Sequence, residues 1–420
     1  MLDMLQFVSG MGWASLGLAV LIFDVPRYTF SLLSLSLGVL FRGSKTASRL
    51  PNTSVSVIVP TFNGGSGLTP TIASLRAQSL PLHEIIVVDD GSTDNTRLTA
   101  QRAHAEGMID MVICHGTRCG RSAAINSAAR FATGELILTV DADTVFAPDA
   151  IARLASVFVD RRVGGASCNI AISNEPESIW TALQSMEYLM SISAGRAILD
   201  IIGAIACLSG ACSMYRRSIF IQQGGLDVGP GEDLEFSLRL RRLGYRIRFV
   251  PEAWAETDGP VTGISLLRQR ARWDRDALRI RFMMYGEFGL RHPLEHFRDT
   301  LQRLDFILFD LIPTLSFPFY TAYLVLLFGG QALPFLLAVY LLLLWISLFN
   351  IGVAFLLYGR SSSLFGLAIS VILPFYQGIY LKCARFVSYS SEIIFATSRH
   401  DDFVPPRVRR ALLANRGPAP

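Results

Sequence analysis

An α/β domain built on a parallel sheet and flanked by membrane helices is the fold class this sequence predicts, from three observations. The chain of 420 residues is 51% hydrophobic and only 17% charged, too apolar for an ordinary soluble enzyme. Its apolar residues concentrate at the N-terminus and after residue 304, leaving a stretch of soluble-protein composition from about residue 51 to 300. Within that stretch, β-branched runs ending in polar residues alternate with helical patterns.

The elements follow in order. Residues 7–23, FVSGMGWASLGLAVLIF, are just long enough to span a bilayer, which needs about 20 apolar residues. DVPRY (24–28) breaks the run, because Pro26 cannot continue a helix and Asp24 and Arg27 avoid lipid. Residues 29–41 are apolar but short and could be a second crossing or a helix lying at the interface; a hairpin is the favoured expectation for the membrane segments of 1–50. Then VSVIVPT (55–61), EIIVVDDGS (84–92) and ELILTVDADT (135–144) read as strands. TPTIASLRAQ and GRSAAINSAARFAT between them read as helices. Strand, helix, strand at this spacing implies a parallel sheet with ligands at the carboxyl ends of its strands, where the aspartates sit.

The globular domain is expected over 51–276, with interfacial helices over 277–304 and membrane helices over 305–397. The apolar runs 306–328, 332–358 and 363–381 are each long enough to cross. A basic tail occupies 398–420. Basic residues flank the apolar runs (Arg42, Lys45 and Arg49, then Arg360, then Lys382 and Arg385), which favours the cytoplasmic side for the domain and the inner membrane for the protein. A conflict follows: three crossings from a cytoplasmic domain would place the tail outside. Either one segment is re-entrant, or residues 386–397 supply another short crossing.

The formal charge of +4 is mild, and no nucleic-acid partner is expected. Six cysteines without a CxxC pair, and six histidines without ligand spacing, argue against a disulfide framework or a zinc site; reduced thiols are expected. No cleavable signal peptide is expected at MLDMLQF.

Chemistry concentrates in five places. Asp89 and Asp90 end a buried strand before a Gly-Ser-Thr turn and can accept hydrogen bonds from a ligand, or simply cap the next helix. Asp141 and Asp143 stand two apart at a strand end, so both can project toward one point. Hard oxygen ligands of that kind suit Mg²⁺ or Mn²⁺ shared with a diphosphate. Glu232 and Asp233 open a helix after glycines, where the helix dipole favours carboxylates; Asp233 is the candidate general base. In LLRQRARWDRD (266–276), four arginines crowd around Trp273, as a membrane anchor or as part of a site.

These residues, in this order from 54 to about 275, resemble the family 2 inverting glycosyltransferases, whose catalytic domain has the GT-A-type, Rossmann-like fold. PTFN (60–63) resembles the first nucleotide-binding strand end, and the resemblance assigns Thr61, Asp89 and Asp90 to the nucleotide and Asp141 and Asp143 to the metal. QRARW (269–273) resembles the motif of the processive membrane synthases of cellulose, chitin, hyaluronan and poly-N-acetylglucosamine. It implies that Gln269, Arg270, Arg272 and Trp273 line the meeting point of diphosphate and acceptor. Where the family often has an acidic residue this chain has Gly64, and where a lysine is common it has Arg121, which can still pair a phosphate.

What the resemblance implies is a processive β-glycosyltransferase that uses a UDP-sugar, N-acetylglucosamine being favoured, and extends a growing glycan in a lipid bilayer. A transferase adding one sugar to a glycolipid is the second reading. A transporter with a degenerate soluble domain is disfavoured by the intact acids and the sparseness of intramembrane charge.

Overall fold

A computed structural model describes residues 53–285, 296–358 and 364–414. The expected hairpin over 1–50 and the basic residues Arg42, Lys45, Arg49 and Arg360 lie outside the described residues.

The first half of the domain winds as strand, helix, strand. β1 (Val55–Thr61) is followed by α1 (Gly65–Arg76), β2 (Glu84–Asp89), α2 (Thr96–Ala105), β3 (Met111–Cys114), α3 (Arg121–Ala129) and β4 (Leu136–Val140). The strands pair in parallel in the order β3-β2-β1-β4. Both faces of this sheet are covered, which is why its strands read as unbroken apolar runs. Alternation still operates within them. Val55, Val57 and Val59 join the core with α1, while Ile58 joins the core with α3. Each such side chain, fully removed from water, contributes about 1.5–3 kcal/mol.

The second half closes the sheet. It comprises β5 (Val145–Phe146), α4 (Ala150–Ser156), β6 (Val163–Ile172), α5 (Ile179–Tyr188), β7 (Cys212–Arg216), α6 (Glu232–Arg242), β8 (Arg246–Thr257) and α7 (Gly263–Leu278). β7 lies antiparallel on β4, and the eight-stranded order is β3-β2-β1-β4-β7-β6-β8-β5. The sequence implies that Leu234, Leu238 and Leu240 bury one face of α6, but they divide: Leu234 and Leu238 pack with Ile280 and Tyr285, while Leu240 joins Phe236 in the core that holds Phe220 and Phe249.

One expectation is corrected here. Cys168 and Cys212 are not isolated reduced thiols: they are joined as a disulfide, with Cα atoms 5.8 Å apart. The antiparallel pairing of β6 and β7 places Ser167 opposite Ser213, so the next residue of one strand faces the preceding residue of the other. A separation of 44 residues hides that register from any local spacing rule. Cys114, Cys119, Cys207 and Cys383 are free.

Among the described residues, three helices after the domain are long and apolar enough to cross a membrane: Phe297–Phe328, Leu336–Tyr358 and Phe365–Phe395. The third absorbs residues 386–395, so these supply no separate crossing.

Candidate active site

Parallel pairing sets the site. Thr61 stands in register with Asp89, and Asp89 with Cys114, so the carboxyl ends of β1, β2 and β3 come to one edge of the sheet. The turn after β4, carrying Asp141 and Asp143, adjoins them, because β4 pairs with β1.

Asp89 is fully buried. Its carboxylate accepts from the Ser92 backbone N–H at 3.0 Å and from the Arg97 Nε at 2.9 Å. Burial opposes the charge, but the bonds from Ser92 and Arg97 outweigh it and hold this carboxyl below its usual range. Asp90 accepts from the backbone N–H groups of Cys119 (2.9 Å) and Gly120 (2.7 Å), and its Oδ1 is 2.8 Å from the His115 Nδ1. Asp90 therefore tethers the loop that leads into α3. Gly120 has φ +93, a conformation glycine adopts without cost, and this turns its N–H toward Asp90. Asp90, His115 and Cys119 bring ligand-type atoms within 4.8 Å of one another, but the Asp90 oxygens are already engaged by the ring and the two amides. The Thr61 hydroxyl is buried and has no hydrogen-bond partner among the described residues, which leaves a polar atom at the strand end for a ligand.

Arg121, the first residue of α3, joins motifs distant in sequence. Its Nε donates to Asp141 at 3.0 Å, its Nη1 to Glu232 at 2.6 Å and its Nη2 to the Gly210 carbonyl at 2.5 Å. Burial works against the guanidinium charge, but Asp141 and Glu232 hold it firmly protonated.

Asp143 receives less compensation. Thr257 donates to it at 3.1 Å, a contact made possible by the antiparallel pairing of β5 with β8. Its packed surroundings and the neighbouring Asp141 charge push its carboxyl up to about 6. Two carboxylates on one turn, one of them destabilised as an anion by the other, form a donor set that a hard divalent cation relieves. The residues present thus fit such an ion.

Asp233 lies near Arg121: a Cβ on Gly210 would come 3.3 Å from its Oδ2 and 3.9 Å from the Arg121 Nη2. Gly231, at φ +81, lets α6 start abruptly with Glu232, and no side chain caps the helix. Asp233 accepts from the Leu234 N–H at 2.7 Å. Burial and the adjacent Glu232 charge push its carboxyl up to about 6, with Arg121 opposing.

The QRARW segment lies on α7, which Thr262 and Ser265 cap reciprocally. Its residues diverge. Arg270 turns to Glu187 of α5 at 2.9 Å and sits 4.6 Å over the Trp273 ring. Gln269 keeps a buried side-chain oxygen with no partner among the described residues. Arg272 is exposed and makes no ion pair among them, and Trp273 is 39% exposed. The structure thus brings Asp141, Glu232 and Asp233 together through Arg121, holds Asp89 and Asp90 in their own networks, and turns Arg270 away to Glu187. Sequence reasoning passed over Arg97, His115 and Glu187. It also passed over Asp276, whose side chain packs against Gly231 and whose carboxyl burial pushes up to about 7. None of these partners is signalled by local spacing.

Residues 56–224 match the model of glycosyl transferase family 2. Over that segment the chain is similar to the family. It is 35% identical over 243 residues to an N-acetylglucosaminyltransferase of Mesorhizobium japonicum, and 36% identical over 241 residues to one of Rhizobium leguminosarum bv. viciae. Each alignment takes in 54% of this chain, which spans only 57% of either relative's length. A mannosyltransferase of Pyrobaculum calidifontis, solved with GDP-Man and Mn²⁺, superposes with a TM-score of 0.58 over 89% of this chain and 98% of its own, at 20% identity. That likeness concerns the fold, a GT-A-like α/β sheet. Asp233 and α7 lie beyond the segment matched to the glycosyltransferase family, so their roles rest on geometry.

Proposed function

We propose that this chain is a membrane-embedded inverting glycosyltransferase that takes N-acetylglucosamine from a UDP-sugar and extends a β-linked glycan, adding units processively and passing the product through its membrane helices. The domain faces the cytoplasm at the inner membrane. The observation that carries the catalytic part is Arg121. It ties the Asp141 turn to the Glu232–Asp233 helix start, so a donor diphosphate and a general base would share one site. The relatives named N-acetylglucosaminyltransferases support the sugar.

Asp233 takes the proton of the acceptor hydroxyl as that oxygen bonds to the anomeric carbon. The bond from that carbon to the diphosphate breaks on the opposite side, UDP leaves, and the configuration inverts. Asp141 and Asp143 would hold Mg²⁺ or Mn²⁺, which would neutralise the leaving diphosphate; the fold neighbour was solved in complex with GDP-Man and Mn²⁺. Thr61, Asp89, Asp90 and the loop at Gly120 bound the nucleotide pocket. Gln269, Arg272 and Trp273 form the acceptor side, where the indole offers a flat face to a sugar ring, and Arg270 braces that wall through Glu187. A single-addition transferase acting on a glycolipid uses the same site. Incubating the purified protein with UDP-N-acetylglucosamine and sizing the product tests the proposal: a ladder of oligosaccharides is expected, products of one added sugar would overturn processivity, and no UDP release with any UDP-sugar would overturn the enzyme reading.

A further inference from the structure

We infer that Arg279, at the end of α7, is a positioning residue for Asp233: it grips the backbone just ahead of α6 and so fixes the base relative to the acceptor wall that the same helix carries. The inference deepens the proposed function and rests on its assignment of Asp233 as the base.

The start of α6 is held from two sides. On one side stands α3, whose Arg121 donates to Glu232 at 2.6 Å and whose Ser122 hydroxyl donates to the Gly229 carbonyl at 3.3 Å. On the other side, α7 runs on into a wider, π-helical turn, Arg279–Met284, whose first two residues are fully buried. There the Arg279 Nη2 donates to the Pro230 carbonyl and lies 3.3 Å from the Asp276 Oδ1. Gly231 makes the close approach possible: a Cβ on it would lie 2.6 Å from the Ile280 Cδ1 and 2.9 Å from the Asp276 Cβ. Ile280 packs with Leu234, Leu238 and Tyr285, and the Tyr285 hydroxyl donates to Glu235 at 2.6 Å. The end of α7 is thus seated on the first two turns of α6.

The order of residues on α7 supplies the consequence. Gln269, Arg272 and Trp273 precede Arg279 on one continuous helix. At 1.5 Å per residue, about 9 to 15 Å of helix axis separates that wall from the grip on α6. The diphosphate side reaches α6 through Arg121, and the acceptor side reaches it through Arg279. A base must stand within hydrogen-bond reach of the acceptor hydroxyl, and a misplacement of about 1 Å costs on the order of 10²-fold in rate.

Stability alone gives little reason for this arginine. Its Nε and Nη1 are buried with no hydrogen-bond partner among the described residues, and an unmet buried donor is destabilising. An apolar side chain of similar length removes that cost. One nitrogen, Nη2, makes both contacts, so a lysine ammonium can reproduce them and a methionine cannot.

Arg279→Met and Arg279→Lys in the full chain, purified in detergent, test the inference through UDP release, UDP affinity by calorimetry and melting temperature. Arg279→Met should lower kcat about 10- to 100-fold while the KM for UDP-N-acetylglucosamine and the UDP affinity stay within about twofold. Its melting temperature should be unchanged or higher. Arg279→Lys should recover most of kcat. Wild-type kcat in Arg279→Met overturns the inference. So does a joint fall of kcat, UDP affinity and melting temperature in that variant, which makes the arginine a residue of the fold only. A folded lysine variant no faster than the methionine one also overturns it. Asp233→Asn separates this inference from the reading beneath it. Turnover that survives Asp233→Asn removes the base and the inference together, whereas turnover lost there but kept in Arg279→Met overturns the inference alone.

Discussion

Two groups of charges flank the candidate site and are treated oppositely by the fold. At the sheet edge, the atoms crowded around Asp143 and Asp233 and the acid beside each destabilise them as anions. On α7 and the third apolar helix, Arg270 pairs with Glu187, and Arg385 with Asp274 and Asp310. The difference teaches which charges are spent on chemistry and which on architecture. A carboxylate that must accept a proton or a cation gains from being under-compensated. A guanidinium that fixes one helix on another gains from a complete partner, because an unpaired buried charge costs several kcal/mol.

The largest effect expected is at Asp233. Asp233→Asn should lower transfer by about 10²- to 10⁴-fold, the usual span for a positioned general base, while UDP binding by calorimetry stays within about twofold. Because the wild-type carboxylate is strained as an anion, the variant should melt at the same temperature or higher. Retained activity would break the division between the two groups. Asp143→Ala should follow, with donor binding in the presence of Mn²⁺ weakened by about 10- to 100-fold, a range typical of damaged metal sites. Equal donor binding with and without the cation in the wild type would remove the metal role.

Legibility follows the same division. The sheet-edge residues were readable because each sits at the end of a β-branched strand or the start of a helix, where local pattern fixes position. The strands over 55–61, 84–89 and 136–140 fall where the apolar runs do, and α6 begins at Glu232 as its glycines imply. What could not be read was set by distance in sequence. Arg270 meets Glu187 across 83 residues, Cys168 meets Cys212 across 44, and Arg121 meets Glu232 across 111. The arginine cluster of 266–276 looked like a choice between anchor and site. The folded helix divides it, with Arg270 turned to architecture and Arg272 and Trp273 left exposed.

Arg270→Ala sharpens the architectural side. Leaving the largely buried Glu187 carboxylate with only the Tyr376 hydroxyl as partner should cost up to about 3 kcal/mol of stability, seen as a lower melting temperature in detergent. Adding Glu187→Gln should recover part of it. Trp273→Ala should keep the melting temperature and membrane association while losing transfer. If instead the tryptophan variant merely detaches from membranes, α7 is an anchor.

The smallest effect expected is a pH dependence, and its sign discriminates. A base whose pKa lies at about 6 is ionised above that value and protonated below it. Transfer should therefore hold between pH 7 and 8, fall to about half near pH 6 and drop about tenfold per further unit. Stability should move the other way. A raised carboxyl pKa means the folded state holds its proton at pH values where the unfolded chain has lost it, so the Asp233 contribution to stability declines as pH rises from about 4 to 6. Activity and melting temperature read on the same samples should thus cross in this window, with the stability slope reduced in Asp233→Asn. Parallel loss of both toward acid would assign the activity drop to unfolding instead of to the base.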